Sequence, residues 1–186
     1  PLSKSLNTRV LWLMSKLSIK PTPFAGLKLV QRHPFNDARG LYERVFCYAE
    51  LQPFLEGQNI AQINRSVTRF AGTVRGMHFQ YPPKQEVKIV TCLKGSVFDV
   101  VVDIRSGSPT FLQCFSANLS EWNSKNIVIP TGFAHGFQAL EKNTELLYLH
   151  TRTYDWNVEG GLTACDPALG IHGPLAVTDR SDKDLN

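Results

Sequence analysis

The chain has 186 residues, 42% of them hydrophobic, with a net charge of +4 and a pI near 9.0. That length supports one well-cored domain and argues against two. Its Lys and Arg residues are spread along the chain rather than gathered in blocks, which argues against a nucleic-acid track and suits an anionic small molecule. Cys47, Cys92, Cys114 and Cys165 lie far apart with no C-x-x-C spacing, so zinc and dithiol redox chemistry are not indicated and free thiols in a reducing cytoplasm are expected.

In chain order, the first apolar cluster is residues 10–14, shorter than the ~20 residues a membrane span needs and without a small-residue cleavage site behind it. No membrane association or targeting is expected. Residues 1–13 read as an upstream extension outside the fold, and residues 14–186 as one domain. From Leu27 onward, short β-rich runs alternate with turn residues and helical periodicity is scarce. A short helix is expected at 48–55. Strands follow at 86–93 and 97–104, joined as a hairpin by Lys94-Gly95-Ser96. After the breaker Ser106-Gly107-Ser108-Pro109 come a strand at 110–119, a second short helix at 120–124 and a strand at 126–129. Pro130-Thr131-Gly132 interrupts again before a strand at 144–151. The expectation is an all-β, antiparallel sandwich or barrel, with a jelly roll the natural all-β container for a small ligand.

Two segments concentrate ionisable groups in runs that otherwise read as half-buried strands: residues 74–80 leading to Lys88, and residues 129–137. Alternation puts His78 and Gln80 on one face, with Lys88 available from the next strand. A His and a Lys facing one cavity form a proton-abstraction site. The same spacing fits a hydrogen-bonded core histidine beside a solvated lysine, and spacing alone does not choose.

The order Gly72-x5-His78-x-Gln80-x5-Glu86-x8-Gly95, then Pro130-x-Gly132-x-x-His135, resembles the paired motifs of the cupin superfamily, whose members are jelly-roll barrels. Metal-binding cupins carry a second histidine where this chain has Gln80, and an amide is a far poorer ligand for a transition metal than imidazole. A metal-dependent oxygenase or isomerase built on His78, Glu86 and His135 is the rival reading, opposed also by the cation of Lys88. A cupin that only binds a sugar nucleotide is a second rival, and it would have no use for a set of His, Lys and Tyr.

A narrower resemblance, over residues 22–184, is to the dTDP-4-dehydrorhamnose 3,5-epimerase family. It rests on Ala38-Arg39-Gly40, Gln62-Ile63-Asn64-Arg65-Ser66, Arg75-Gly76-Met77-His78-Phe79-Gln80, Lys88-Ile89-Val90 and Gly95-Ser96-Val97-Phe98-Asp99-Val100. Asp103-Ile104-Arg105, Ser108-Pro109-Thr110, Pro130-Thr131-Gly132-Phe133-Ala134-His135-Gly136-Phe137 and Ser181-Asp182-Lys183-Asp184 complete it. Each string is weak, and together in this order they are a strong signal.

The resemblance implies that His78 is the general base and Asp184 the carboxylate that fixes its tautomer and stabilises the imidazolium. It makes Lys88 the cation that offsets charge on the enolate oxygen and Tyr148 the proton donor from the opposite face, the alternative for Tyr148 being a strand tyrosine that packs in the barrel. It implies an active-site role for His135 and substrate binding by Arg39, Gln62, Asn64, Arg75, Tyr154, Glu159 and Lys183. Arginine forks suit a pyrophosphate and Tyr154 offers a flat face to a base. The implied activity is inversion of C3, C5 or both in a nucleotide-diphospho-4-keto-6-deoxy sugar, without metal or organic cofactor, with a single-centre 3-epimerase or a ketoisomerase of the same fold as the alternative. The implied assembly is a homodimer with crossed-over N-terminal strands that bring Arg39 to the neighbour. The chain departs from the family pattern at Arg44, Thr153, Cys165 and Gly173, and Glu43 stands one place out of register, so no contact is assigned to it.

Overall fold

A computed structural model describes residues 16–184. The expectation for residues 1–13 lies outside the described residues. A six-stranded sheet runs β1 (Leu17–Pro21), β2 (Lys28–Arg32), β10 (Lys125–Ile129), β7 (Lys88–Lys94), β12 (Thr144–His150) and β5 (Gln62–Thr68). A five-stranded sheet runs β13 (Glu159–Gly161), β6 (Val74–Gln80), β11 (Phe133–Ala139), β8 (Ser96–Asp103) and β9 (Cys114–Ser120). A small hairpin of β3 (Phe35–Asp37) and β4 (Gly40–Tyr42) stands apart from both. The pairings within each are antiparallel, and the two larger sheets form a cupin-type jelly roll.

Period-two alternation explains how the sheets face each other. Val90, Cys92, Ile127 and Leu146 from one sheet meet Val97, Val101, Phe133 and Phe137 from the other in the inner core. The intervening residues point outward. On the six-stranded sheet, Ile89, Val128 and Leu149 are covered by Leu51 of the short helix α1 (Tyr48–Leu51) and by Leu55. Outside the five-stranded sheet, Met77, Val100 and Val102 are covered by Ala164 and Leu169 of the late loop. The same alternation turns Asp99 and Asp103 of β8 inward to full burial, so each must find a polar partner.

Two sequence expectations are corrected here. Residues 121–124 form a tight turn rather than a helix, because Asn123 accepts hydrogen bonds from the amides of Ser120 and Lys125 and so caps the β9–β10 hairpin. Residues 110–113 are a turn rather than the start of a strand. The Ser108 and Thr110 hydroxyls both donate to Asp103 Oδ2 at 2.6 Å, binding that loop to the barrel rim. Among the described residues, no helix is long and apolar enough to cross a membrane.

Candidate active site

The site depends on an irregularity in β6. His135 of β11 pairs with His78, but Phe137 pairs with Arg75, so two steps on β11 oppose three on β6 and one extra residue is accommodated. This β-bulge lets Arg75, His78 and Gln80 all line the interior, where strict alternation would send Arg75 and His78 to opposite faces. Gly76 makes it possible. Its φ is +102°, and a Cβ there would lie 2.6 Å from the His135 carbonyl oxygen and 2.7 Å from Gly136 Cα.

The resulting cavity, of about 330 Å³, opens between the two sheets. On its five-stranded side, His78 Nε2 donates to Asp184 Oδ1 at 2.6 Å, and the other carboxylate oxygen accepts from the Ser181 hydroxyl at 2.8 Å. Asp184 is buried at 6% exposure in the last turn of the described chain, so its partners fix it firmly. Nδ1 of His78 is then the free acceptor. Burial holds this imidazole below the ordinary histidine range, against the opposing pull of Asp184. It is neutral at pH 7 and able to take a proton.

On the facing six-stranded sheet, β12 projects Tyr148 inward. Its hydroxyl lies 3.2 Å from Ser66 Oγ, and burial pushes the phenol well above the ordinary tyrosine range. It is therefore a neutral O–H group that can donate. Lys88, from β7, reaches the cavity with its ammonium 3.6 Å from Glu86 Oε1. His135, buried in β11, lies edge-on to Tyr148 and is anchored through Nε2 to Asp99 Oδ2 at 2.8 Å.

At the mouth, Tyr154, Glu159 and Lys183 form one cluster. The Tyr154 hydroxyl donates to Glu159 at 2.5 Å, the same carboxylate pairs with Lys183, and the Lys183 ammonium sits 5.9 Å from the Tyr154 ring centre. Asn64 lines the rim, and Gln62 reaches back to accept from the Tyr154 amide at 3.0 Å. Arg75 Nε donates to Thr68 at 3.1 Å, leaving the rest of its fork directed at the cavity.

Of the twelve residues singled out from the sequence, nine line the cavity, Gln62 and Lys183 bond to residues that line it, and Arg39 is set apart. It sits at the tip of the β3–β4 hairpin, 88% exposed and bonded to Asp37, and does not line this cavity. The register departure nearby has a physical account. Glu43 turns inward to pair with buried Arg32 at 3.0 Å, while Arg44 pairs with Glu50.

The Gln80 amide is engaged at both ends, donating to the Lys84 carbonyl at 3.0 Å and accepting from the Asp155 amide at 2.7 Å. It fixes two loops at the cavity wall. Among the described residues, no group of three or more His, Cys, Asp or Glu side chains is gathered to hold a metal ion. Sequence reading missed Asp99, Ser66, Ser181 and His150. Inward alternation along β8 and β12 was the available signal for Asp99 and His150.

The sequence model of dTDP-4-dehydrorhamnose 3,5-epimerase matches residues 21–186. The chain belongs to the dTDP-4-dehydrorhamnose 3,5-epimerase family. Relatives bearing that enzyme's name include one from Sinorhizobium fredii, 37% identical over 89% of this chain and 85% of its own length. Another, from Mycobacterium tuberculosis, is 40% identical over 80% of this chain and 75% of its own. Among solved structures, the dTDP-6-deoxy-D-glucose-3,5-epimerase of Legionella pneumophila in complex with dTDP-4-keto-L-rhamnose superposes with a TM-score of 0.86. It is 35% identical and covers 91% of this chain and 90% of that one. Membership in this epimerase family makes the protein an isomerase.

Proposed function

We propose that the protein inverts C3, C5 or both in a dTDP-4-keto-6-deoxy sugar, by proton abstraction on one face and proton return on the other. The observation that carries this reading is the opposition of two groups across the barrel. His78, a neutral imidazole with a free Nδ1, stands on the five-stranded sheet, and Tyr148, a neutral phenol, stands on the six-stranded sheet. A sugar ring lying between them meets a base on one side and an acid on the other.

Only hydrogens α to the C4 ketone are acidic enough for a histidine to remove. His78 Nδ1 takes the proton, and the C–H electron pair moves into the enolate. Asp184 stabilises the imidazolium formed, and the Lys88 ammonium offsets the charge arriving on the C4 oxygen. Tyr148 then delivers its proton to the opposite face of the same carbon; the tyrosinate is reprotonated from solvent and the His78 imidazolium releases its proton to solvent, which restores both groups. No step calls for a metal or an organic cofactor. The Tyr154–Glu159–Lys183 cluster, with Gln62, Asn64 and Arg75, takes the nucleotide and diphosphate.

A homodimer belongs to the same proposal. The hairpin bearing Arg39 is exposed, with Leu41 at 58% and Tyr42 at 62% exposure, and a second copy would receive it over the cavity, adding Arg39 to the diphosphate site. Four free thiols accord with a cytoplasmic enzyme. The test is incubation with the 4-keto-6-deoxy sugar nucleotide and assignment of the product's C3 and C5 configuration by proton NMR. Unchanged configuration at both carbons would refute the proposal.

A further inference from the structure

His150 follows Tyr148 on the inner face of β12 and has no part in the mechanism above, yet it stands at the centre of a chain of polar side chains running from Gln62 to Lys88. The Tyr154 amide donates to Gln62 Oε1 at 3.0 Å, and Gln62 Nε2 donates to Asn64 Oδ1 at 3.1 Å. Asn64 Nδ2 then faces His150 Nε2 at 3.4 Å, and His150 Nδ1 lies 2.9 Å from Glu86 Oε2. The other oxygen of Glu86 is the one 3.6 Å from the Lys88 ammonium.

Donor and acceptor roles along this chain determine one another. Because the Asn64 oxygen accepts from Gln62, its NH₂ faces the imidazole, and Nε2 must accept. The His150 proton is therefore on Nδ1, pointing at Glu86. Sheet register supports the arrangement, since His150 is the direct cross-strand neighbour of both Gln62 on β5 and Lys88 on β7.

We infer that His150 is a positioning residue for Lys88, acting through Glu86, and that it links the nucleotide end of the cavity to the reacting end. The inference rests on the role proposed for Lys88 as the cation at the ketone oxygen. Glu86 and Lys88 are both nearly buried, with side-chain exposures of 10% and 13%. In such a setting an unrestrained carboxylate closes onto an ammonium to about 2.7–2.9 Å and occupies it. The N–H of His150 holds one carboxylate oxygen back, so Glu86 tethers Lys88 at 3.6 Å without taking up the charge the enolate needs. Stacking on Tyr148, with ring centres 6.0 Å apart and planes 20° from parallel, fixes the imidazole in that orientation.

The experiment is a steady-state comparison of H150N, H150Q and H150F, each alone and combined with E86Q, on the 4-keto-6-deoxy sugar nucleotide. The Asn amide nitrogen reproduces Nδ1 and keeps the donor to Glu86. The Gln amide nitrogen reproduces Nε2 and loses that donor while remaining polar, so it serves if H150F does not fold. H150Q and H150F should lower kcat by about 10- to 100-fold, the scale of a misplaced catalytic group, with KM within about threefold of wild type. H150N should stay within about threefold of wild-type kcat. In the E86Q background the loss caused by H150Q should shrink to near nothing, because the two residues act as one unit.

A rise in KM with unchanged kcat would overturn the inference and make His150 a nucleotide-pocket residue. Additive losses in the E86Q background would overturn it as well. K88M separates this outcome from failure of the proposed mechanism. An active K88M enzyme refutes the role of Lys88 itself, whereas an inactive K88M with wild-type H150Q refutes only the positioning by His150.

Discussion

Replacing Tyr148 by Phe removes one oxygen and leaves the ring in place, so exchange and inversion should come apart. Among the described residues the hydroxyl's one hydrogen-bond partner is Ser66 Oγ at 3.2 Å, and its loss costs about 1 kcal/mol of stability. The ring keeps its packing against the inner core and its stacking on His150. The fold should therefore survive with a small fall in Tm. Catalysis should not. A positioned general acid contributes about 10²–10⁴-fold, which is roughly 2.7–5.4 kcal/mol of barrier, several times the structural cost. In Y148F, His78 still abstracts the proton and Lys88 still holds the enolate. The base can then return a proton or deuteron only to the face it came from. One NMR time course in heavy water reads label and stereochemistry together. Deuterium should enter with retained configuration while the inverted sugar forms at least about 10²-fold more slowly. Inversion as fast as exchange in Y148F would make Tyr148 a packing residue and refute the two-face mechanism.

Further predictions follow from the same geometry. Burial holds His78 below the ordinary histidine pKa of about 6.5, so its base form persists as pH falls and the acid limb of kcat/KM should lie below about pH 6.5. D184N removes the opposing pull that raises this pKa, so that limb should move lower still while slow residual exchange persists on a reduced plateau; an upward shift would contradict the pairing. Exhaustive chelation should leave turnover intact, and activity lost to chelation and restored by one divalent ion would contradict the mechanism. If Arg39 serves the partner's cavity, mixing inactive R39A and H78N proteins should regenerate about a quarter of wild-type sites, because half the dimers are mixed and each has one complete site. Mixtures without gain would leave Arg39 outside the site.

Strand alternation was legible from β7 through β12 because the inner core is apolar and each turn carries its Gly, Pro or Asn. It was legible for Lys88, which pairs in register with His150 away from the shift between β7 and β12 at Glu145 and Leu146, whereas the role of Tyr148 came only from the resemblance to a family. It failed where one side chain overrode the local pattern: Asp103 captures Ser108 and Thr110 and converts the expected start of β9 into a turn. It also failed at Gly76, since a bulge arises from the close approach of β11 and leaves no periodic trace in β6 alone. The His78–Asp184 contact spans 106 residues of sequence, and only the resemblance to a family brought its ends together. The partnerships of His135 with Asp99 and His150 with Glu86 were out of reach for the same reason. The first joins two strands, β11 and β8, and the second joins β12 to the segment just before β7, and these adjacencies are a property of the barrel.

The most direct test of the central claim is the position of solvent deuterium in the sugar after incubation in heavy water with wild-type enzyme and with H78N. Wild type should place deuterium only at C3, C5 or both, the carbons flanking the ketone, and every inverted carbon should carry it. H78N should place none, since Asn offers no base at that position. Inversion without solvent label, or labelling by H78N at the wild-type rate, would contradict proton abstraction by His78.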